Sequence, residues 1–515
     1  MKLSELLAGH DHEVLLGDPG TEITSGVTFD AHRVLPGSLF VEVPGHSENG
    51  DDNGGEPGVE AVGAALAAGA AALLLDASVP EPPGRVWEGA ARVCVVRVPD
   101  TRVAAALITS RYHGEPGREM DMVAVTGTNG KTSVSYMAES LLRIAEGARV
   151  GVIGTAGSRI GTARIPMPRT MLTTPEAPQF QYLLGHMRER GVGTVVLEAT
   201  SMGLLHHRVD NAFLDVGVFT NLTRDHLDDH GTMENYRDAK LRLFQGLCRH
   251  AVVNVDDPVG AGIRDAAAGA VTTYALDTGA DFRATDLDVH AFGTRFTLHH
   301  DGRKYPAAVP VPGRFSVSNA LAALAACHVL GHPLPELVAA LDRMPPVPGR
   351  LERFETPQGV SVIVDYAHSP DSLEKVLGTV REFAPGRVIT VFGCGGDRDV
   401  TKRPLMGRIA GAGSDLCVVT SDNPRTEDPE QILDQIVPGL AESGTPFERV
   451  TDRRRAIGHA LAAAVPGDLV LVAGRGSEPN QILADRIVPF SDMATVRELA
   501  SALPGAAPAA ASHRA

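Results

Sequence analysis

Residues Thr126 to Ser133 read T-G-T-N-G-K-T-S and follow directly on the apolar run Met122-Val-Ala-Val125. A short apolar run, a glycine-bearing loop and a helical pattern commit this stretch to a strand–loop–helix unit of an α/β domain. Glycines let a backbone curl round a polyphosphate with its N–H groups turned inward, and the N-terminus of the next helix adds positive potential. Gly127, Thr128, Asn129, Gly130 and Ser133 form that cradle. Lys131 offers a point charge for the outer phosphates, and the Thr132 hydroxyl suits a magnesium ion. Gly127 and Gly130 are only three positions apart, so the loop is two residues shorter than the common G-x-x-x-x-G-K-[ST] form. The ligand these residues imply is ATP.

At 515 residues the chain is too long for one core, and roughly three domains are expected. A net charge of −16 argues against a generic nucleic-acid or membrane-surface binder. Cys94, Cys248, Cys327, Cys394 and Cys417 are scattered and odd in number, which fits free thiols in a reducing cytoplasm. The N-terminus carries early acids and no long apolar core, so it does not read as a secretory signal. The longest apolar stretch, Ala61 to Leu75, is too short to span a bilayer and reads as a helix followed by a buried strand.

Strand-like runs alternate with helical patterns over most of the length, which predicts α/β architecture with mainly parallel sheets. The first block, residues 1–110, holds strands near Gly37–Val43, Ala71–Leu75 and Val93–Val98. The second, 111–346, adds to the phosphate loop strands at Val150–Ile153, Thr194–Leu197, Val216–Phe219 and Ala251–Val255. The third, 347–503, begins at the proline-rich P-P-V-P-G-R of Pro345 to Arg350, with strands at Val360–Val364, Arg387–Phe392, Asp415–Thr420 and Asp468–Val472. Residues 504–515 are Ala/Pro-rich and expected to be disordered. Ligands of open α/β sheets collect at the carboxyl ends of strands, so the loops after these runs carry the candidates. Glu198 and Thr200 follow one run and His226 another; an acid and hydroxyls beside a phosphate loop suggest magnesium, with Glu198 the natural ligand and His226 the less usual one.

In order, T-G-T-N-G-K-T-S, E-A-T-S-M-G-L-x-x-H-R-V, T-N-L-T-R-D-H-L-D-x-H-G and Y-R-D-A-K resemble the Mur ligases, the ATP-dependent amino-acid-adding enzymes of peptidoglycan synthesis. The resemblance covers nearly the whole chain. It implies three domains: a UDP-sugar-binding N-terminal one, a central ATP-binding one on a P-loop-type parallel sheet, and a Rossmann-like C-terminal one that binds the amino acid. It further implies that Lys240 is carbamylated and helps to hold magnesium, which requires that burial and nearby cations lower the lysine pKa. Asn319 matches the adenine contact, and Arg350 and Asp365 match the hinge that closes over ATP. Thr173, Thr174, Thr200, His206 and Arg208 match the residues around the acceptor peptide. The reaction implied is amide formation through an acyl phosphate, in the cytoplasm, by a monomer acting on small molecules, with no nucleic acid and no membrane insertion.

Three loops of the third block offer Arg398, then Asp422, Asn423, Pro424 and Arg425, then Gly474 and Glu478. An arginine fork pairs with a carboxylate and an acid accepts from an ammonium. The set suits an amino acid with a second amino-acid head at its far end, such as diaminopimelate, and D-N-P-R resembles the signature of the diaminopimelate-adding branch. The acceptor implied is UDP-N-acetylmuramoyl-L-alanyl-D-glutamate. The chain departs from the family pattern at Ala31, His32, Leu172, Met202, Arg475 and Ser477, several of them where nucleotide sugar and peptide should sit. Two other readings are therefore carried: a paralogue joining a different acceptor and amino acid in a specialised pathway, and a nucleotide-dependent switch without turnover.

Overall fold

The computed structural model describes residues 1–44, 59–78, 93–167 and 172–503; the tail from 504 and the segment 45–58 lie outside the described residues. Among the described residues three large sheets organise the chain, beside a two-stranded one of Asn480–Ile482 and Ile487–Pro489. The first has the order Glu13–Leu16, Cys94–Val98, Ala72–Asp76, Leu39–Val41, Val27–Thr28, parallel except for its first strand. The alanine-rich stretch divides as expected into the helix Val59–Ala67 and the fully buried strand Ala72–Asp76.

The central sheet is the largest. From Phe282–His290 it runs through Ala270–Ala275, Cys248–Asn254, Leu214–Phe219, Asp121–Thr126 and Thr194–Glu198 to Val150–Ile153, all parallel. Five of these strands match the expected runs or the apolar run before the phosphate loop. The strands Phe282–His290, Gly293–His300 and Arg303–Val309 were not expected; they form an antiparallel meander that extends one edge. The chain leaves Asp121–Thr126 towards one side of the sheet and later returns on its other side. That strand is therefore the topological switch point, where open α/β sheets bind ligands. The helix that follows, Lys131–Glu146, shares a core with the helix Arg314–Val329, which is alanine-rich and buried nearly all round.

The third sheet has the order Glu352–Glu355, Ser361–Asp365, Leu469–Ala473, Val388–Phe392, Leu416–Val419, Phe447–Arg449, again parallel apart from its first strand. Its central strands Val388–Phe392 and Leu469–Ala473 are largely apolar and buried on both faces, as covered parallel sheets require. Arg453 and Asp492 form an ion pair with both side chains fully buried. The same guanidinium donates to the Ala473 carbonyl at 3.0 Å and the Ser421 carbonyl at 3.5 Å. A buried charge pair of this kind is costly to break, and here it ties together two of the loops that carry candidate residues. All five cysteines are free and buried. Among the described residues no helix is long and apolar enough to cross a membrane.

Candidate functional site

The phosphate loop sits between the ends of two flanking strands. Gly127 has φ 145°, and a Cβ there would meet the Thr220 hydroxyl at 1.9 Å; Gly130 has φ 91°, and a Cβ there would lie 2.5 Å from Asn319 Oδ1. Both positions therefore require glycine, for conformation and for space. Lys131 opens the helix and donates from Nζ to the Gly127 and Thr128 carbonyls, each at 2.9 Å. Burial, opposed by Glu198 and Asp225 but aided by Arg350, lowers its pKa. Thr132 Oγ1 donates to Glu198 Oε2 at 2.9 Å and accepts from Arg350 Nη2 at 3.2 Å. Glu198 also accepts from the Thr155 amide and hydroxyl, both at 3.0 Å. Its two oxygens and the Thr132 hydroxyl make a compact set of hard donors, which is what magnesium prefers.

Lys240 is 1% exposed and donates to the Gly127 carbonyl at 2.9 Å, so both lysines converge on one oxygen. Its Nζ lies 4.3 Å from the Tyr236 ring centroid. Burial, with the nearby Lys131 charge, holds its pKa well below the lysine range against the pull of Asp225. The amine is thereby held towards its neutral, nucleophilic form. His226 stands at φ 52° with its side chain 48% exposed, facing Asp229 at 3.3 Å and Asp225 at 3.7 Å.

The cleft over the loop has a volume of about 270 Å³ and is lined by Thr128 to Ser133, Thr173, Glu198, Thr200, Asn319, Arg350 and Asp365, among others. Asp365 is buried, which raises its pKa against the Arg350 charge, and it accepts from the amides of Leu351 at 2.7 Å and Ala367 at 2.8 Å. Those bonds fix the turn that carries Arg350. The Arg350 Nη1 is buried without a protein partner, an orphaned cationic donor on the wall of a cleft shaped by a phosphate loop.

Beside Thr200 the residues expected around the acceptor already make contacts within the protein. Arg208 is 4% exposed and its Nη2 is 2.7 Å from Glu176 Oε1, so its fork is already engaged by a protein carboxylate. His206 Nδ1 lies 3.4 Å from the same Nη2. Thr174 donates to the Glu198 carbonyl at 2.7 Å and pairs with the Thr200 hydroxyl at 3.0 Å, and Thr173 faces Thr155 at 3.3 Å. The threonines thus brace Glu198, and Glu176, which no local pattern marks, sets Arg208.

A second cleft of about 360 Å³ lies at the carboxyl edge of the third sheet, lined by Arg398, Asp422, Asn423, Arg425, Gly474 and Glu478 among others. Asn423 Oδ1 accepts from Arg475 Nη1 at 2.6 Å and the Ile482 amide at 2.9 Å. Its Nδ2 is therefore the end that donates to Glu478, at 2.9 Å. Asp422 Oδ2 is buried with no partner. Burial and the Asp422 charge raise the Glu478 pKa. Burial and Arg398 lower that of Arg425, whose Nη1 donates to the Gly396 carbonyl at 2.6 Å. Arg398 reaches across to Asp228 at 3.6 Å. Pro424 brings its carbonyl against Gly396, where a Cβ would lie 1.9 Å away. An orphaned acid oxygen beside crowded cations suits a zwitterionic ligand. Asp225, His226, Tyr366 and His368 line both clefts, so the two meet along a common wall. Burial, with Lys402 nearby, pushes His368 down to about 4.

Comparison with known proteins gives consistent results. The Mur ligase middle domain model matches residues 125–327, and the model described as Mur ligase, glutamate ligase domain matches residues 349–476. The UDP-N-acetylmuramoyl-L-alanyl-D-glutamate–2,6-diaminopimelate ligase of Caldanaerobacter subterraneus subsp. tengcongensis is 38% identical over 499 residues, covering 97% of this chain and 99% of that one. The enzyme of the same name from Geobacillus thermodenitrificans is 40% identical over 476 residues, covering 91% and 93%. A solved structure of such a ligase superposes with a TM-score of 0.66 at 32% identity, covering 98% and 99%. MurF from Thermotoga maritima, solved with ADP, shares the fold with a TM-score of 0.62 at 18% identity, covering 93% and 98%. The chain belongs to the Mur ligase family.

Proposed function

We infer that this protein is an ATP-dependent ligase that adds diaminopimelate to UDP-N-acetylmuramoyl-L-alanyl-D-glutamate in peptidoglycan precursor synthesis. Full-length relatives at 38–40% identity carry that name. The observation that carries the reading to these residues is the common wall between a phosphate-loop cleft and a cleft of paired acids and arginines. An activated carboxyl formed in the first has its nucleophile delivered from the second.

In this reading the terminal carboxylate of the acceptor attacks the γ-phosphorus of ATP, and ADP leaves with the P–O bonding pair. Lys131 leaves the Gly127 and Thr128 carbonyls for the phosphates, and the unpartnered Arg350 Nη1 meets them from the other side. Charge aimed at the developing anion lowers the barrier. Asn319 would hold the adenine end and Asp365 the Arg350 turn. The amine of diaminopimelate then attacks the acyl carbon as the free base, phosphate departs with the C–O bonding pair, and the nitrogen gives up its extra proton to the departing phosphate or solvent. Asp422 and Glu478 hold the ammonium of the amino acid and Arg425, with Arg398, its distal carboxylate. Thr132, Glu198 and His226 would hold magnesium, which supplies positive charge to the phosphates when bound.

Lys240 fits carbamylation because its amine is buried beside Lys131 and held towards neutrality. Lys240→Ala should be nearly inactive and partly recovered by acetate, with a carbon-13 carbamate signal present only in the wild type. An inactive variant in a protein lacking that signal would remove the carbamate. We further propose domains at 1–110, 111–346 and 347–503, and a cytoplasmic monomer. The deciding assay is phosphate release with ATP and UDP-muramoyl-dipeptide, with and without diaminopimelate: release should require diaminopimelate, and release independent of it would refute the assignment.

A further inference from the structure

Tyr366 follows the strand Ser361–Asp365 and lines both clefts. Its ring carries the Arg350 guanidinium, 4.1 Å from the centroid, and that arginine donates to the phosphate-loop Thr132 at 3.2 Å. The phenol donates to Glu478 Oε1 at 3.3 Å. The other Glu478 oxygen accepts from Asn423 at 2.9 Å. The side chain has little freedom. The His368 ring packs edge-on at 4.7 Å, and a Cβ on Gly476 would come within 2.9 Å of the tyrosine's own Cβ.

We propose that Tyr366 is a positioning residue that holds the nucleotide-side Arg350 and the amino-acid-side Glu478 in register, so that the two clefts present their reactants to one point. The proposal rests on the reaction inferred above. Two separable parts of one side chain do the work. The π face orients a guanidinium, an attraction that strengthens when water is excluded. The hydroxyl supplies a charge-assisted bond that turns the Glu478 carboxylate. Neither group touches the reacting atoms, so the effect must appear as a division between substrates.

The variants Y366F and Y366L divide it. Y366F loses only the hydroxyl and should raise KM for diaminopimelate about tenfold to a hundredfold, the usual cost of one hydrogen bond to a charged group. Its KM for ATP should stay within about twofold of wild type. Y366L loses the ring as well; it should also lower kcat and weaken ADP binding about tenfold in calorimetry. Melting temperatures control for folding. An unchanged KM for diaminopimelate in Y366F would overturn the proposal. So would equal shifts for both substrates that track the loss of stability. A wild-type enzyme that binds ADP but releases no phosphate on addition of diaminopimelate would overturn the assigned reaction instead; the ADP affinities of the two variants would still decide the Arg350 half of the proposal.

Discussion

Arg425 occupies the left-handed region, with φ 51°, and its guanidinium is burdened by burial and by Arg398. In the proposed reaction the distal carboxylate of diaminopimelate would pair with that cation, which Asp422, Glu478 and Asp397 already face. Losing one partner of such a buried pair costs about 2–5 kcal/mol. Arg425→Ala should therefore raise KM for diaminopimelate by about one to three orders of magnitude with KM for ATP unchanged. Lysine, lacking that carboxylate, should be a poor substrate, and equal kcat/KM for the two amino acids would refute the pairing. Far from the site, Glu42 is pushed up to about 7, by burial first and then by the Asp76 carboxylate. Asp76, despite its own burial, is kept charged by bonds from Ser78 and Thr101. A carboxyl with a raised folded-state pKa favours the fold fully below its unfolded value of 4.5, and that contribution is lost as pH rises through about 7. The melting temperature should fall as pH rises from 4.5 to about 7, and Glu42→Gln should flatten that slope; an unaltered slope would acquit Glu42.

The phosphate loop is the element on which the nucleotide cleft depends. Gly130→Ala would force a side chain into a left-handed conformation, at about 1–2 kcal/mol, and against Asn319 Oδ1 besides. It should raise KM for ATP about tenfold or more while leaving KM for diaminopimelate near wild type, and steady-state kinetics with each substrate varied will show it. The loop was legible because its glycines, lysine and threonine are contiguous. Strands such as Val388–Phe392 and Val150–Ile153 were legible because they are buried on both faces and largely apolar. The meander from Phe282 to Val309 was not, since its strands are only partly buried and intersperse charged and polar residues among the apolar ones, leaving no continuous apolar run. No local pattern marks Lys240; only family resemblance singled it out, and its burial arises from chain 113 residues away. Glu176 was missed for the same reason: its partners Arg102 and Arg208 are remote in sequence or hidden in another element.

Across the whole molecule, the central and third sheets touch through the loop itself. Asp371, at the start of the helix Pro370–Phe383, accepts from Asn129 Nδ2 at 2.9 Å and from the Thr223 hydroxyl at 3.3 Å. Contact between separate blocks at a phosphate loop is how closure is coupled to nucleotide binding. Asp371→Ala should lower kcat at saturating substrates about tenfold, and small-angle scattering with ATP bound should report a larger radius of gyration than for the wild type. A compact, fully active variant would show that this contact does not govern closure. The common wall of the two open clefts bears on timing. An acyl phosphate is destroyed by water, and an enzyme with a single doorway would have to readmit solvent between activating the acid and receiving the amine. In the proposed reaction, two doorways and one partition would let the amine enter while spent nucleotide still plugs the other side, so that the activated acid is handed on without being wetted.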